Sequence, residues 1–135
     1  MPSIIKYRKI IADDTTYQLF EPDYADGADR CVELATIEGD TYVAVPATVT
    51  LPAQPTQIIV KKVTMNAAIK AKIKATSPHV RLINERVVSK IREKYSDSDE
   101  IKMLWQPAGP AVDAYRTYVA TCVAEGLAYK AALGL

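Results

Sequence analysis

The sequence predicts an α+β fold in which a small N-terminal antiparallel β region, made of hairpins and a proline-rich arm, is followed by a C-terminal helical hairpin. Apolar residues before about Met65 occur in short runs bounded by turn formers, and those after it recur at helical spacing. The charge changes sign near the same point. Residues 1–60 carry 4 Lys and Arg against 9 Asp and Glu (net −5), and residues 61–135 carry 13 against 7 (net +6). We therefore expect a β-rich region over 1–64 and a helical hairpin region over 65–135.

The first hairpin is predicted near the start of the chain. Ile4–Ile11 is rich in β-branched and aromatic side chains, and a second such run occupies Thr16–Phe20. Asp13-Asp14-Thr15 lies between them and predicts the turn, because aspartate side chains bond their own backbone and tolerate unusual dihedral angles. Residues 21–29 follow as an acidic run without periodicity. This run favours a solvated loop over a calcium site, since no glutamate stands at the twelfth loop position.

A second hairpin is predicted from Val32–Ile37 and Thr41–Val45. Both runs are rich in residues that favour strands. Glu38-Gly39-Asp40 connects them, and Gly39 can adopt the positive φ that a short hairpin loop needs. These features predict a tight antiparallel pair.

A proline-rich arm follows the second hairpin. Pro46, Pro52 and Pro55 each fix their own φ and remove a backbone donor, so the residues between them are expected to be extended and to lie at a sheet edge or along the surface. Gln57–Thr64 then predicts one more strand. Extended segments of this kind can add to the sheet of a neighbouring protein. The arm residues expected to contact a partner are Thr48, Val49, Thr50 and Leu51.

The first helix is predicted to begin at Thr64 or Asn66, which are good N-cap residues, and to end at about Ala75. Ile69 and Ile73 stand four residues apart and share one side of this helix. The lysines between and after them fall outside that side. The pattern therefore predicts a short helix with one apolar side.

Two longer helices are predicted to form the hairpin. Ser77-Pro78 ends the first helix and begins the second, with serine as the N-cap and proline at the first helical position. A short helix capped by Ser96 ends at Trp105, and Gln106–Pro110 breaks the chain before a last helix over about Pro110–Ala132. The predicted core joins the apolar stripes of the two long helices, with Val80, Ile83, Val87 and Ile91 against Val112, Tyr115, Val119 and Cys122.

No group of residues in the sequence has the chemistry of an active site. The one histidine, His79, stands at the start of a predicted helix, and the 5 glycines form no phosphate-binding loop. Cys31 and Cys122 are too far apart for a zinc motif, and both are expected to be free thiols. Asp97–Glu100 favours a helix cap over a calcium loop, because the turning glycine is missing. We therefore expect no catalytic residues, no metal, no cofactor and no enzyme activity.

The segment from Lys61 to Lys94 is strongly basic, with 10 Lys and Arg against 2 acidic residues. A small nucleic-acid-binding or regulatory protein would use such a stripe. The charges are spread around two helices, however, and no aromatic residues are interleaved with them for base stacking. These features favour a solvated face, or one matched to an acidic neighbour, over a nucleic-acid partner. The apolar runs are too short to predict a membrane-spanning helix.

Segments of the second half share a pattern: Ile73–Val80 (IKATSPHV), Ile91–Ser96 (IREKYS), Ala114–Val119 (AYRTYV) and Leu127–Leu135 (LAYKAALGL). They resemble small proteins encoded among the tail genes of tailed bacteriophages. Residues Leu34–Pro46 are similar in style to tail-fibre assembly and fibre-associated proteins. The resemblance implies a virion tail component near the fibres or baseplate, or a chaperone that helps fibres to trimerise, without a cofactor or catalytic residues.

The functional expectation is a bacteriophage tail structural protein at the fibres or baseplate that acts by protein–protein docking. Its partners would be tail-fibre or baseplate proteins or further copies of the chain, in the virion tail and, during assembly, in the host cytoplasm. The alternatives are a tail-fibre assembly chaperone not retained in the virion, and a nucleic-acid-binding protein that uses residues 61–94. Trp105 is expected to contact the partner together with the arm, because tryptophan buries a large area with few rotatable bonds.

Overall fold

The computed structural model describes residues 2–8, 10–11, 15–16, 30–50 and 58–135. The predicted α+β architecture is confirmed, with strands in the first half and helices in the second. The chain forms two compact units: Met1–Val80 with Ala132–Leu135, which we call the sheet unit, and Arg81–Ala131, the helical unit. The change from strand to helix falls near Met65, whereas the boundary between the compact units falls after Val80.

The strands are β1 (Ser3–Arg8), β2 (Ile10–Ile11), β3 (Thr15–Thr16), β4 (Val32–Ile37), β5 (Asp40–Val45) and β6 (Lys61–Val63). The larger sheet is antiparallel with the order β4-β5-β1-β6, and β2 pairs separately with β3. The run predicted as one strand, Ile4–Ile11, is therefore divided between two sheets. The pairing of β2 with β3 agrees with part of the predicted first hairpin, but Thr15, predicted in the turn, lies in β3 because it pairs with Ile11. Asp13, Asp14 and residues 17–20 lie outside the described residues.

The four-stranded sheet buries side chains on both faces, as expected when the side chains of β1 alternate. One cluster contains Ile4, Leu34, Ala35, Ala44 and Ile73. The opposite cluster contains Ile5, Tyr7, Val43, Val45 and Ile58. The neighbours Leu34 and Ala35 share a cluster because the β4–β5 register shifts between Glu33 and Ala35, which indicates a β-bulge.

The turn between β4 and β5 consists of two residues in the left-handed region. Glu38 has a φ of 52° and Gly39 a φ of 86°. Two successive positive φ angles define a type I′ turn, whose twist matches that of the flanking strands. The predicted role of Gly39 is confirmed, and Glu38 adopts a conformation that non-glycine residues rarely adopt.

Helix α1 (Ala67–Thr76) covers one face of the sheet. Asn66 is its N-cap, and the Asn66 side chain accepts a hydrogen bond from the backbone N–H of Ile69 at 2.9 Å, as predicted. Ile73 is fully buried in the first cluster, and Ile69 packs against that cluster. Leu133 and Leu135 pack there too, on either side of Gly134, which has a φ of 81°. This packing makes α1 part of the sheet unit.

Three further helices follow: α2 (Pro78–Lys94), α3 (Asp97–Trp105) and α4 (Pro110–Ala132). A Cβ atom at Gly126 of α4 would lie 2.6 Å from Cγ2 of Val87, so the two long helices approach closely there. Further along α2, Lys90 pairs with Glu125, and the Tyr118 hydroxyl donates to the Lys90 carbonyl at 2.8 Å. As the residue numbers of these contacts increase along α2, those of their partners on α4 decrease, so the two helices are antiparallel, as predicted. Five of the eight predicted core residues, Val80, Ile83, Ile91, Val112 and Cys122, are buried, and Val87, Tyr115 and Val119 are half-buried. Val80 belongs to the sheet unit.

Candidate interaction surfaces

Helix α3 begins with a capping box. The Ser96 hydroxyl accepts a hydrogen bond from the backbone N–H of Asp99 at 3.1 Å, and the Asp99 carboxylate accepts one from the backbone N–H of Ser96 at 2.9 Å. These reciprocal bonds satisfy two donors that a helix start leaves open. The backbone bond from Ser96, followed by that from its hydroxyl, lowers the pKa of Asp99. The sequence prediction of a cap in place of a calcium loop agrees with this geometry.

Polar contacts attach the first turn of α3 to the long helices. The Arg92 guanidinium lies 2.6 Å from the Asp97 carboxylate and 2.8 Å from that of Glu100. The Tyr115 hydroxyl donates to the other Glu100 oxygen at 2.8 Å. The hydrogen bond from Tyr115, followed by that from Arg92, lowers the pKa of Glu100. The helix is therefore held by charge-assisted hydrogen bonds, which are stronger than neutral ones.

An aromatic cluster lies beside this attachment. The Tyr95 and Tyr115 rings meet edge to face, with centroids 5.0 Å apart and an interplanar angle of 79°. The Tyr118 ring is 5.7 Å from that of Tyr95, and the Lys94 ammonium lies 4.6 Å from the centre of the Tyr118 ring. Edge-to-face and cation–π contacts each contribute about 0.5–1.5 kcal/mol. The cluster fixes the end of α2 against α4, where Arg92 and Tyr115 bind α3.

The rest of α3 presents apolar side chains to solvent. Ile101, Leu104 and Trp105 are 56%, 80% and 85% exposed, and α3 has no buried residue. Spacings of three and four residues place these side chains on one side of the helix. We call this surface the α3 face. A helix held through its polar first turn, with its large apolar residues exposed, has the organisation of a docking surface.

The predicted contact residues are placed differently from one another. Trp105 lies on the α3 face, and its role as a contact stays a prediction. The described part of the arm forms a turn and not the extended segment that the prolines predicted, because the Val49 N–H donates to the Pro46 carbonyl at 3.0 Å. Val49 is half-buried against the second cluster of the sheet unit, whereas Thr48 and Thr50 are exposed. Leu51 lies outside the described residues.

A second exposed apolar surface runs along the long helices. Val87 and Gly126 lie in close contact, and Val88 and Leu127 are the next residues along their respective helices. One residue is a rotation of about 100°, and in an antiparallel pair these rotations carry both side chains to the same side. Val123, four residues before Leu127, shares that side, and all three are exposed. The ion pair between Lys90 and Glu125 lies on the opposite side of the two helices.

Among the described residues, no cluster of His, Cys, Asp and Glu could hold a metal ion. His79 is exposed at the start of α2, and Cys31 and Cys122 are free thiols. Burial raises the pKa of the Cys31 thiol. Within the same described segments, no helix is long and apolar enough to cross a bilayer.

Sequence reasoning identified Trp105 but not its neighbours on the α3 face. Ile101 and Leu104 precede it by four and three residues, a spacing that marks a common helix side. That signal was visible, but apolar residues at helical spacing usually indicate a core. What reveals the α3 face is the exposure of Ile101, Leu104 and Trp105.

Comparison with protein-family models, curated proteins and solved structures found no match to this chain.

Proposed function

We propose that the protein acts by docking onto another protein, as a bacteriophage tail structural protein at the fibres or baseplate. The observation that supports docking is the α3 face, with Ile101, Leu104 and Trp105 more than half exposed. Burying one large apolar side chain contributes about 1.5–3 kcal/mol, and tryptophan is enriched among the residues that dominate binding energy. Three such side chains on one helix side could carry most of the affinity of a protein–protein contact.

The attachment of α3 separates docking from folding. Arg92 and Tyr115 bind Glu100, and the capping box closes the helix start. None of these bonds is made by Ile101, Leu104 or Trp105. Truncation of Leu104 or Trp105 should therefore weaken binding while it leaves the free energy of unfolding nearly unchanged, because substitutions of exposed side chains usually change stability by less than about 0.5 kcal/mol.

The phage resemblance supplies the class of partner. The resembling segments Ile91–Ser96 and Ala114–Val119 contain the residues that hold α3, among them Arg92, Tyr95 and Tyr115. A tail-fibre or baseplate protein is therefore the proposed occupant of the α3 face. A tail-fibre assembly chaperone would use the same surface but would be absent from finished particles.

The test is co-expression of the chain with the neighbouring tail-fibre and baseplate genes, followed by affinity purification. We expect a complex that Trp105→Ala and Leu104→Ala each weaken by about tenfold or more. Tyr129→Ala is the matched control, because Tyr129 is an exposed aromatic residue of α4. Mass spectrometry of purified virions then distinguishes a structural protein from a chaperone.

Two results would contradict the proposal. Co-purification that survives both α3 substitutions would remove the α3 face from the contact. Failure to bind any tail protein, together with tight duplex-DNA binding that falls steeply with salt, would favour the alternative that uses residues 61–94.

A further inference from the structure

A shallow cleft of about 230 Å³ lies in the sheet unit, where the start of β1, β6, the start of α1 and Gly134 meet. Its apolar walls come from Ile4, Val63 and Met65, and Lys62 and Lys70 also line it. Small-molecule sites usually measure about 300–1,000 Å³. The volume of this cleft is below that range and is large enough for one apolar side chain.

The cleft adjoins a strand with one open edge. β6 is the last strand in the order β4-β5-β1-β6 and pairs with β1 on one side only, so no strand of the described segments pairs with its other side. The backbone groups on an open edge can pair with an extended segment of another protein. Main-chain hydrogen bonds would then align the added segment with the cleft.

The charge of this edge selects the segment that can add. Lys61, Lys62 and Lys70 form no ion pair among the described residues, in contrast to Lys6, which lies 3.7 Å from Asp40. Lys61 also stands directly opposite Lys6 across the β1–β6 pair. Like charges in such positions destabilise a sheet, and an acidic neighbour would relieve the repulsion. Edge lysines repel basic strands and disfavour pairing with neutral strands that leave the lysine charge uncompensated, so this edge discriminates in favour of acidic ones.

We propose that β6 and its cleft bind an extended segment of a partner protein in which two acidic residues adjoin an apolar one. Strand alternation places Val63 on the face of Ile4, towards the first cluster, and Lys62 on the other face. The apolar residue of the segment lies opposite Val63 and enters the cleft, and the two acidic residues lie opposite Lys62 and Lys61. This surface shares no residue with the α3 face, and the proposal does not depend on the proposed tail function.

The first experiment measures peptide binding to the whole chain by fluorescence anisotropy. The probe is a ten-residue peptide with Glu-Glu-Leu at its centre between Thr and Ser residues, and its control carries Lys-Lys-Leu instead. We expect the acidic peptide alone to bind, with an affinity that falls as salt rises. Two versions of the acidic peptide carry backbone N-methyl groups at alternate residues, one at the odd-numbered positions and the other at the even-numbered positions. One of them should lose binding and the other keep it, because alternate N–H groups of a strand point to opposite edges.

The second experiment changes the protein. Lys62→Glu and Lys70→Glu should each weaken binding of the acidic peptide by about fivefold, the effect of about 1 kcal/mol of lost attraction. Lys72→Glu makes the same charge change on α1 but does not line the cleft, so it should leave the affinity within about twofold. Unchanged melting temperatures would show that the variants fold. Trp105→Ala should bind the peptide normally, which separates this site from the α3 face.

Several outcomes would overturn the proposal. In one, the acidic peptide fails to bind, and in another, the two N-methylated peptides bind equally well. In a third, Lys72→Glu loses as much affinity for the acidic peptide as Lys62→Glu and Lys70→Glu do. Binding of duplex DNA in place of the peptide, lost in Lys62→Glu and Lys70→Glu, would assign the edge to nucleic acid.

Discussion

At the residue scale, backbone conformation and close packing restrict side chains at positions outside both proposed surfaces. Glu38 occupies the left-handed region with a φ of 52° in the turn between β4 and β5. Non-glycine residues are strained there by about 1 kcal/mol or more, whereas asparagine tolerates the region because its side chain bonds locally. The side chain of Glu38 is exposed. The strain at this position is therefore a property of the backbone.

Glu38→Asn should stabilise the sheet unit by about 0.5–1 kcal/mol, measured as a shift in the urea unfolding midpoint. Asparagine is preferred in type I′ turns ahead of glycine, and here it would precede Gly39. Glu38→Gln is the control, since it removes the charge without improving the backbone preference. A gain in Glu38→Gln equal to that in Glu38→Asn would attribute the effect to charge and contradict the turn argument.

Gly126 is restricted by packing. A Cβ atom there would lie 2.6 Å from Cγ2 of Val87 and 3.8 Å from Cγ2 of Ile83. Gly126→Ala should therefore destabilise the helical unit by about 1–3 kcal/mol through overpacking, although alanine favours helices. Val87→Ala in the same chain should recover part of that loss, and a double-mutant cycle in urea measures the coupling. Additive effects of the two changes would show that the helices do not meet at this point.

At the element scale, the helix starts were predictable because capping is local. Asn66, Ser77-Pro78 and Ser96 each carry the start signal in one or two residues, and α1, α2 and α3 begin beside them. The turn at Pro46 was not predictable, since the packing of Val49 against the sheet depends on residues distant in sequence. The boundary between the compact units falls after Val80 because α1 packs against the sheet through contacts between residues that are distant in sequence.

The attachment of α3 should depend on pH through Glu100. Its folded pKa lies below the ordinary glutamate value because Tyr115 and Arg92 bond the carboxylate. A depressed folded pKa contributes stability above the unfolded pKa, and that stability is lost as the pH falls through the folded pKa. Glu100→Gln should therefore melt lower than wild type at neutral pH and converge with it in acid, measured by thermal unfolding across pH. A constant difference at every pH would contradict this assignment.

At the scale of the whole molecule, the chain folds into two compact units that are stabilised by different kinds of interaction. The sheet unit buries two apolar clusters, one on each face of the sheet. The helical unit adds to its apolar stripe a network of tyrosines and ion pairs around Arg92 and Lys90. Each unit carries one of the proposed surfaces, the β6 edge in the first and the α3 face in the second.

The two thiols provide a separate reporter for each unit. Cys31 lies in the sheet unit, where it is partly buried, and Cys122 lies in the helical unit with 1% of its surface exposed. Gly126→Ala should speed alkylation of Cys122 by promoting local opening of the helical unit, and should leave Cys31 unchanged. Peptide mapping after timed iodoacetamide labelling measures both rates. Equal acceleration at both cysteines would show that the units open together, and a mass loss of two hydrogens reversed by reductant would show a disulfide between them.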